Sequence, residues 1–166
     1  MNQRIPVTIV NHVAIDIAVA ADIVWKMIIE EIGEARGFRS VGTVEPLEGV
    51  DAPLGGYRLT SRDENGALDE RVARLTERDE AARRLSVFAE FLSVPGGMIV
   101  YATYQAQDAQ SGTRFSIDCH TREEIELPTG ASAADLSAKI AEKTAFYDDA
   151  LGDKMQKTKE KLECEK

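Results

Sequence analysis

Apolar and polar positions alternate with a period of two over most of this chain and switch to helical spacing in two places. From Val7 to Val19, the residues Val7, Ile9, Val13, Ile15 and Ile17 share one parity, while His12, Asp16 and small alanines share the other. That alternation predicts a half-buried strand. Ala20 to Ile32 changes to helical spacing through Ile23, Trp25, Met27, Ile28 and Ile32, with Asp22 near the start and Gly33 as a stop. One more short helical turn can follow between Glu34 and Phe38. Strand patterns then recur at Ser40–Leu47, Tyr57–Arg62, Leu68–Thr76, Arg84–Leu92, Met98–Gln107 and Thr113–Ile125. The breaks between them carry turn chemistry: the Gly- and Pro-containing loop from Glu48 to Gly56, the Asn65-Gly66 pair within Asp63–Gly66, a polar turn over Glu77–Ala82, Pro95-Gly96-Gly97, and Ser111-Gly112.

The second helical stretch runs from Ser132 to Leu162. Leu136, Ile140, Thr144, Tyr147, Leu151, Met155 and Leu162 fall on one face; Lys139, Glu142, Lys143, Asp149, Lys154, Lys157, Glu160 and Lys161 fall on a face predicted to be solvated. Ser132 with Asp135 three residues on is close to a capping box. The sum is one strand, one or two short helices, about six further antiparallel strands and one long helix, an α+β chain forming a single domain over residues 1–166. The long helix is the one element left to cover the apolar face of the sheet, and a strongly twisted sheet curling around one helix is expected to leave a hollow between them.

Composition narrows the partners. With 30% charged residues and a net charge of −9, the chain has no clustered positive face for a phosphate backbone, so nucleic acid is not expected as a partner. Cys119 and Cys164 are too few for a disulfide framework and read as free thiols in a reducing compartment. Asn11, His12 and Asp16 interrupt the apolar N-terminal run before a signal-peptide core can form, and no segment approaches the length of a membrane span. The expected location is therefore cytoplasmic, without membrane insertion; the oligomeric state stays open.

The order of elements resembles the START-like helix-grip (SRPBCC) superfamily, and within it the polyketide cyclase/dehydrase branch. The residues that carry the resemblance are "APLGGYRLTSRDENGALDERVARLTERDEAARRLSV", "YATYQ", "SGTRFSI" and the helix start Ala21-Asp22-Ile23-Val24-Trp25, so that it spans the chain from about Val13 to Met155. Its signatures are a Gly-then-Arg strand at Gly55 to Arg58, a Glu-Arg-hydrophobic strand at Glu70 to Val72, and the aliphatic-Trp pair Val24-Trp25. The resemblance implies a seven-stranded curved antiparallel sheet wrapped around a long C-terminal helix, with short helices after the first strand. It implies no cofactor. Superfamily functions range over cyclases, dehydratases, condensing enzymes, lipid carriers, hormone receptors and chaperone activators, so the resemblance fixes the fold more sharply than the chemistry. The expectation is a cavity for a mid-sized hydrophobic or aromatic small molecule. Cofactor-independent cyclisation or dehydration of a polyketide-like or phenolic substrate is one use of it; a non-catalytic carrier or sensor of lipid or other hydrophobic ligands is the alternative. A chaperone-activator role would need an exposed apolar patch, which the sequence does not display.

Parity assigns candidate residues to faces. In the last strand Phe115, Ile117, Cys119 and Thr121 form the apolar, inward row, leaving Arg114, Ser116, Asp118 and His120 outside. Leu85, Val87, Ala89 and Phe91 share an inward face, with Glu90 outside. For the strand between these, parity does not decide between Ile99, Tyr101, Thr103, Gln105 and Val100, Ala102, Tyr104; the resemblance favours the first set and would put the Tyr101 hydroxyl in the cavity. Leu68, Glu70 and Val72 share a face, and Arg58 aligns with an inward basic position of the superfamily, whereas the apolar rule alone would turn Tyr57 and Leu59 inward. Arg58 and Glu70 on adjacent strands are expected to pair. If the protein is an enzyme, Glu70 is the expected proton shuttle and Arg58 or Tyr101 the group polarising a carbonyl; otherwise the pair is a salt bridge in the cavity wall. The expected ligand-binding set is Arg58, Glu70, Val87, Ala89, Phe91, Tyr101, Thr103, Ile117, Cys119, Thr144 and Tyr147.

Other features carry weaker expectations. His12 and His120 both point outward on neighbouring strands and read as solvated, and no metal ligand is expected. Cys119 has no base beside it and reads as a small buried hydrophobe. The loop over Gly49–Gly56 lacks a phosphate-loop ending and is expected at the cavity mouth. Trp25 is expected to anchor the short helix against the long one, and Gly152 to permit a bend that gates the cavity.

Overall fold

The computed structural model describes residues 2–62 and 65–164. Its strands are β1 (Asn2–Ile17), β2 (Gly42–Pro46), β3 (Gly56–Arg62), β4 (Leu68–Asp79), β5 (Arg84–Phe91), β6 (Met98–Ala109) and β7 (Gly112–Pro128). Helix α1 (Ala21–Ile28) runs on into a π-helical turn (Ile29–Gly33) and a 3-10 turn (Arg36–Ser40), and α2 (Ala133–Cys164) closes the chain. The sheet order is β1-β7-β6-β5-β4-β3-β2 with every pairing antiparallel. This is the helix-grip α+β fold. β1 and β2 lie at opposite edges, so α1 and the two helical turns carry the chain across one face of the sheet, with α1 packed on β6 and β7. No helix of the described residues is long and apolar enough to cross a membrane.

Several boundaries shift for identifiable reasons. β1 starts at Asn2 and runs through Pro6, which a strand can hold because β1 is an edge and one row of its backbone groups needs no partner. β4 continues past Thr76 by means of a bulge between Leu75 and Glu77, which lets Glu77 stay in the ladder opposite Ser86. Gly66 adopts φ +80°, as the Asn-Gly turn requires, while Asp63 and Glu64 of the same turn lie outside the described residues. Trp25 is buried, and its indole donates to Glu80 Oε2 at 2.6 Å, tying α1 to the β4–β5 turn, while α1 packs on β6 and β7.

The long helix begins as its sequence predicts. The Ser132 amide donates to Asp135 Oδ2 at 2.8 Å, and the Asp135 amide donates to Ser132 Oγ at 3.2 Å. Its seat on the sheet is unusual. Only Met155 and Leu162 are buried; Leu136, Ile140, Thr144, Tyr147 and Leu151 are half-buried. α2 lies chiefly along β1, touching β7, and polar ties hold it there. Asn11 Nδ2 donates to the Thr144 carbonyl at 3.1 Å and to Asp148 Oδ1 at 2.8 Å. Tyr147 donates its hydroxyl proton to Glu123 Oε1 at 2.8 Å, Lys143 pairs with the same carboxylate at 2.9 Å, and Lys159 Nζ donates to the Asp16 carbonyl at 2.9 Å.

α2 runs as one helix through Gly152. A Cβ at that position would meet nothing within 4 Å. Gly152→Ala is therefore expected to raise the stability of the protein by about 1 kcal/mol, the helix-interior difference between the two residues. Urea unfolding checks this, and an unchanged or lower midpoint would mean that Gly152 relieves a strain not visible in its surroundings.

Candidate ligand cavity

The concave face of the sheet, α2 and the π-helical turn enclose two adjoining hollows. The larger, of about 550 Å³, is lined by Met27, Glu31 and Ile32, by Tyr104, Phe115 and Ile117 of the sheet, and by α2 residues from Ala150 to Leu162. The smaller, of about 200 Å³, lies under the middle of the sheet between Phe38, Tyr57, Leu59, Arg71, Ala73, Val87, Ala89, Phe91, Val100 and Ala102. Ile32, Tyr104 and Lys154 line both. The size is that of a small-molecule site, and the walls combine apolar side chains with a few polar tips, the usual composition of such sites.

Those polar tips are Lys154, Arg71, Tyr104 and Tyr57. Lys154 reaches solvent through the open side of the larger hollow, while its ammonium lies 5.8 Å from the centroid of the Tyr104 ring. Its ammonium makes no ion pair or hydrogen bond among the described residues. The protein packed around it pushes its pKa below the ordinary lysine range, with the nearby Arg71 charge adding to the effect and Glu31 and Cys119 opposing it. Arg71 stacks its guanidinium over Phe91 at 4.8 Å and Phe38 at 5.6 Å, and its Nε donates to Asp69 Oδ1 at 2.9 Å. Burial raises the pKa of Tyr104 well above the ordinary tyrosine value, so its hydroxyl stays a donor; no hydrogen bond to it exists among the described residues. Tyr57 is raised in the same way, with Arg71 opposing.

Of the residues expected at the cavity, Val87, Ala89 and Phe91 line the smaller hollow and Ile117 the larger. Cys119 points inward as expected and is buried, but it lies outside both linings, 3.7 Å from Thr121 Oγ1, with burial raising its pKa. Thr144 and Tyr147 also lie outside them. The Thr144 hydroxyl is turned back onto the Ile140 carbonyl at 2.9 Å, and Tyr147 serves to anchor α2 on Glu123.

Four residues fall on the opposite, convex face. Arg58 and Glu70 do pair, but with side chains 42% and 29% exposed on the outside of the sheet. Tyr101 is 54% exposed and packs its ring 4.9 Å from that of Phe88, its partner in the β5–β6 register. Thr103 shares a hydrogen bond of 2.8 Å with Ser86. The apolar rule wins in β3 because turning Arg58 inward would bury a guanidinium and expose Tyr57 and Leu59. In β6 the inward set is Val100, Ala102, Tyr104 and Ala106, with Ala102 and Ala106 buried in the core. Glu70, Arg58 and Tyr101 therefore do not form the expected catalytic group within the cavity.

Arg71 and Lys154 are the cations that line the hollows instead, and each left a trace in the sequence. Arg71 has the parity of Ala73 and Leu75, opposite to that of Glu70. Lys154 stands three residues after Leu151 and one before Met155, at the rim of the apolar stripe. The loop over Gly49–Gly56 borders a separate hollow with Arg39 and Arg78 and touches neither of the two above. His12 Nδ1 lies 2.6 Å from Asp118 Oδ1 on the surface, and no group of three metal-ligating side chains forms among the described residues.

Solved structures share this architecture. An uncharacterised protein from Rhizobium leguminosarum matches with a TM-score of 0.59 at 13% identity, over 84% of this chain and 91% of its own. The di-domain ARO/CYC protein BexL from the BE-7585A biosynthetic pathway matches with a TM-score of 0.53 at 20% identity, over 92% of this chain and 48% of its own. Norcoclaurine synthase from Thalictrum flavum, solved with dopamine and hydroxybenzaldehyde, matches with a TM-score of 0.51 at 14% identity, over 86% of this chain and 88% of its own. No family profile and no curated protein matches the chain. At these identities the common property is the fold, and the chain is a helix-grip protein in that sense.

Lys154 also makes a prediction about pH. A lysine whose pKa is lower in the folded protein than its ordinary 10.5 destabilises the fold while protonated, and this cost is relieved as pH rises through the folded pKa toward the unfolded one. Lys154→Met is thus expected to be more stable than the wild type near neutrality, with the difference shrinking as pH rises from about 7 to about 10. Tyr104 and Tyr147, both raised from 10.0, titrate above that window. Urea midpoints across the range test this; a difference constant with pH would remove the strain assigned to the ammonium.

Proposed function

We propose that this protein binds a mid-sized, mainly apolar or aromatic molecule in the paired hollows, with an oxygen function of the ligand directed at Lys154, Arg71 and Tyr104. The observation that carries the reading is the convergence of two cations and a phenol on one apolar space. Apolar walls supply affinity, roughly 25 cal/mol for each Å² of apolar surface removed from water, and the polar tips supply orientation. Such tips suit an oxygen that is partly or fully negative: a carboxylate, a phenolate, or the enolate that forms during aldol cyclisation and dehydration. The reading therefore keeps a polyketide-like or phenolic substrate, with Lys154, Arg71 and Tyr104 in the roles first assigned to Glu70, Arg58 and Tyr101.

A carrier is the second reading, and the carboxylates favour it. Glu70 is on the convex face, and the acids that border the larger hollow, Glu31 and Asp153, stand on its helical walls, Glu31 within 3.7 Å of Lys161. A carrier needs no base in the cavity.

Native mass spectrometry of the purified protein for a co-purified ligand, together with titration by the anionic fluorophore 1-anilinonaphthalene-8-sulfonate, tests the reading. Ala89→Trp, which fills the smaller hollow, is expected to weaken the fluorophore by about tenfold or more, whereas Glu70→Gln on the convex face leaves it within about twofold. Equal affinities for wild type and Ala89→Trp would sink the cavity as the binding site.

A further inference from the structure

We propose that Lys154 is an imine-forming lysine, whose amine condenses with an aldehyde or ketone carbonyl of the molecule held in the hollows. This rests on the reading of the hollows as a ligand site and adds the reactive group of the ligand. Three observations carry it. Lys154 is free of carboxylate partners among the described residues, as is Lys157 in the wall of the larger hollow, whereas Lys139, Lys143, Lys159 and Lys161 are each tied to one. It is also one of three residues lining both hollows, so that a molecule in either touches it. Finally, its surroundings favour the neutral amine: apolar walls and the Arg71 cation, the two means by which a lysine is made nucleophilic near neutrality.

The charged and titratable groups around it come from every side. Arg71, Tyr57, Tyr104 and Cys119 face it from the sheet, Glu31 from the π-helical turn, and Asp153, Lys157 and Lys161 flank it on α2. Among the described residues Glu31 is the carboxylate facing it across the space, and its pairing with Lys161 at 3.7 Å diverts it.

In the reaction, the amine lone pair attacks the carbonyl carbon, the π pair moves to oxygen, and the proton released by nitrogen passes to that oxygen, giving a carbinolamine. The nitrogen lone pair then forms the C=N bond as the C–O bond breaks, and the hydroxyl leaves with the second nitrogen proton as water, so that amine plus carbonyl becomes imine plus water with no oxidant or reductant. Tyr104, kept protonated by burial beneath the Lys154 ammonium, supplies the hydrogen-bond donor for the oxygen. Protonated, the imine acidifies the neighbouring C–H, the activation that carbon–carbon bond formation needs.

The test uses 2-naphthaldehyde with sodium cyanoborohydride at neutral pH, read by intact mass and peptide mapping, beside titration with the unreactive 2-naphthol. Trapping is expected to give a single adduct on Lys154, formed about tenfold faster than on any other lysine and suppressed by 2-naphthol. Lys154→Arg should lose the adduct while keeping its unfolding midpoint, Lys139→Arg, outside both linings, should keep the adduct and the 2-naphthol affinity within about twofold, and Tyr104→Phe should slow the adduct more than it weakens 2-naphthol. If 2-naphthol binds but the label spreads over surface lysines, the imine proposal is overturned and the binding site stands. If neither 2-naphthol nor a selective label is found, both fall.

Discussion

Everything in this molecule depends on how α2 is fastened. A long amphipathic helix laid on a sheet would ordinarily bury its whole apolar stripe, but here only Met155 and Leu162 are buried. The helix is held along the edge strand by Asn11, Glu123 and the Asp16 carbonyl rather than pressed into the middle of the sheet. Asn11 is 2% exposed, and its Oδ1 lacks a partner among the described residues, a cost of about 1–3 kcal/mol that the neighbouring contacts must offset. The result is space: the curved sheet is left open below β3 to β6, and the hollows occupy it.

The sheet separates its chemistry by face. Outside, carboxylates and guanidinia alternate across strands, as in Arg58–Glu70, Arg74–Glu90 and Arg84–Glu77. Pairs of this exposure contribute about 0–1 kcal/mol each and serve solubility more than stability. Inside, a buried core of Ile17, Val24, Ile28, Leu85 and Ile117 seats α1, and the remaining concave surface is apolar except for a few polar tips. A cation placed inside cannot hide among carboxylates. Arg71 is satisfied in part by Asp69 and in part by stacking on two phenylalanines, and Lys154 by a tyrosine face, so both remain available to an incoming oxygen.

Strand periodicity made the inward rows of β1, β5 and β7 legible, because their apolar residues leave no second choice. The same rule was sound in β3, where Tyr57 and Leu59 outweigh Arg58. It was ambiguous in β6, whose two rows are almost equally apolar; the decision there came from its pairing with β5 and β7, whose inward rows carry it along. Thr144 and Tyr147 lay on the correct helical face, yet the cavity does not extend to that end of α2, a matter of where the helix rests and not of its own pattern.

The sequence by itself determined the order of elements, the antiparallel sheet, the cap of α2 at Ser132 and Asp135, and the apolar wall formed by Val87, Ala89, Phe91 and Ile117. These follow from local periodicity and turn chemistry, which act between residues close in the chain or fixed in strand register. The tertiary structure alone decided which charged groups reach the cavity. Lys154 belongs to a helix edge that is solvated in isolation and becomes the wall of a hollow only because the sheet curves toward it. Arg71 faces inward because burial of a whole strand face outweighs the preference of one guanidinium, and Arg58 and Glu70 lie outside for the same reason.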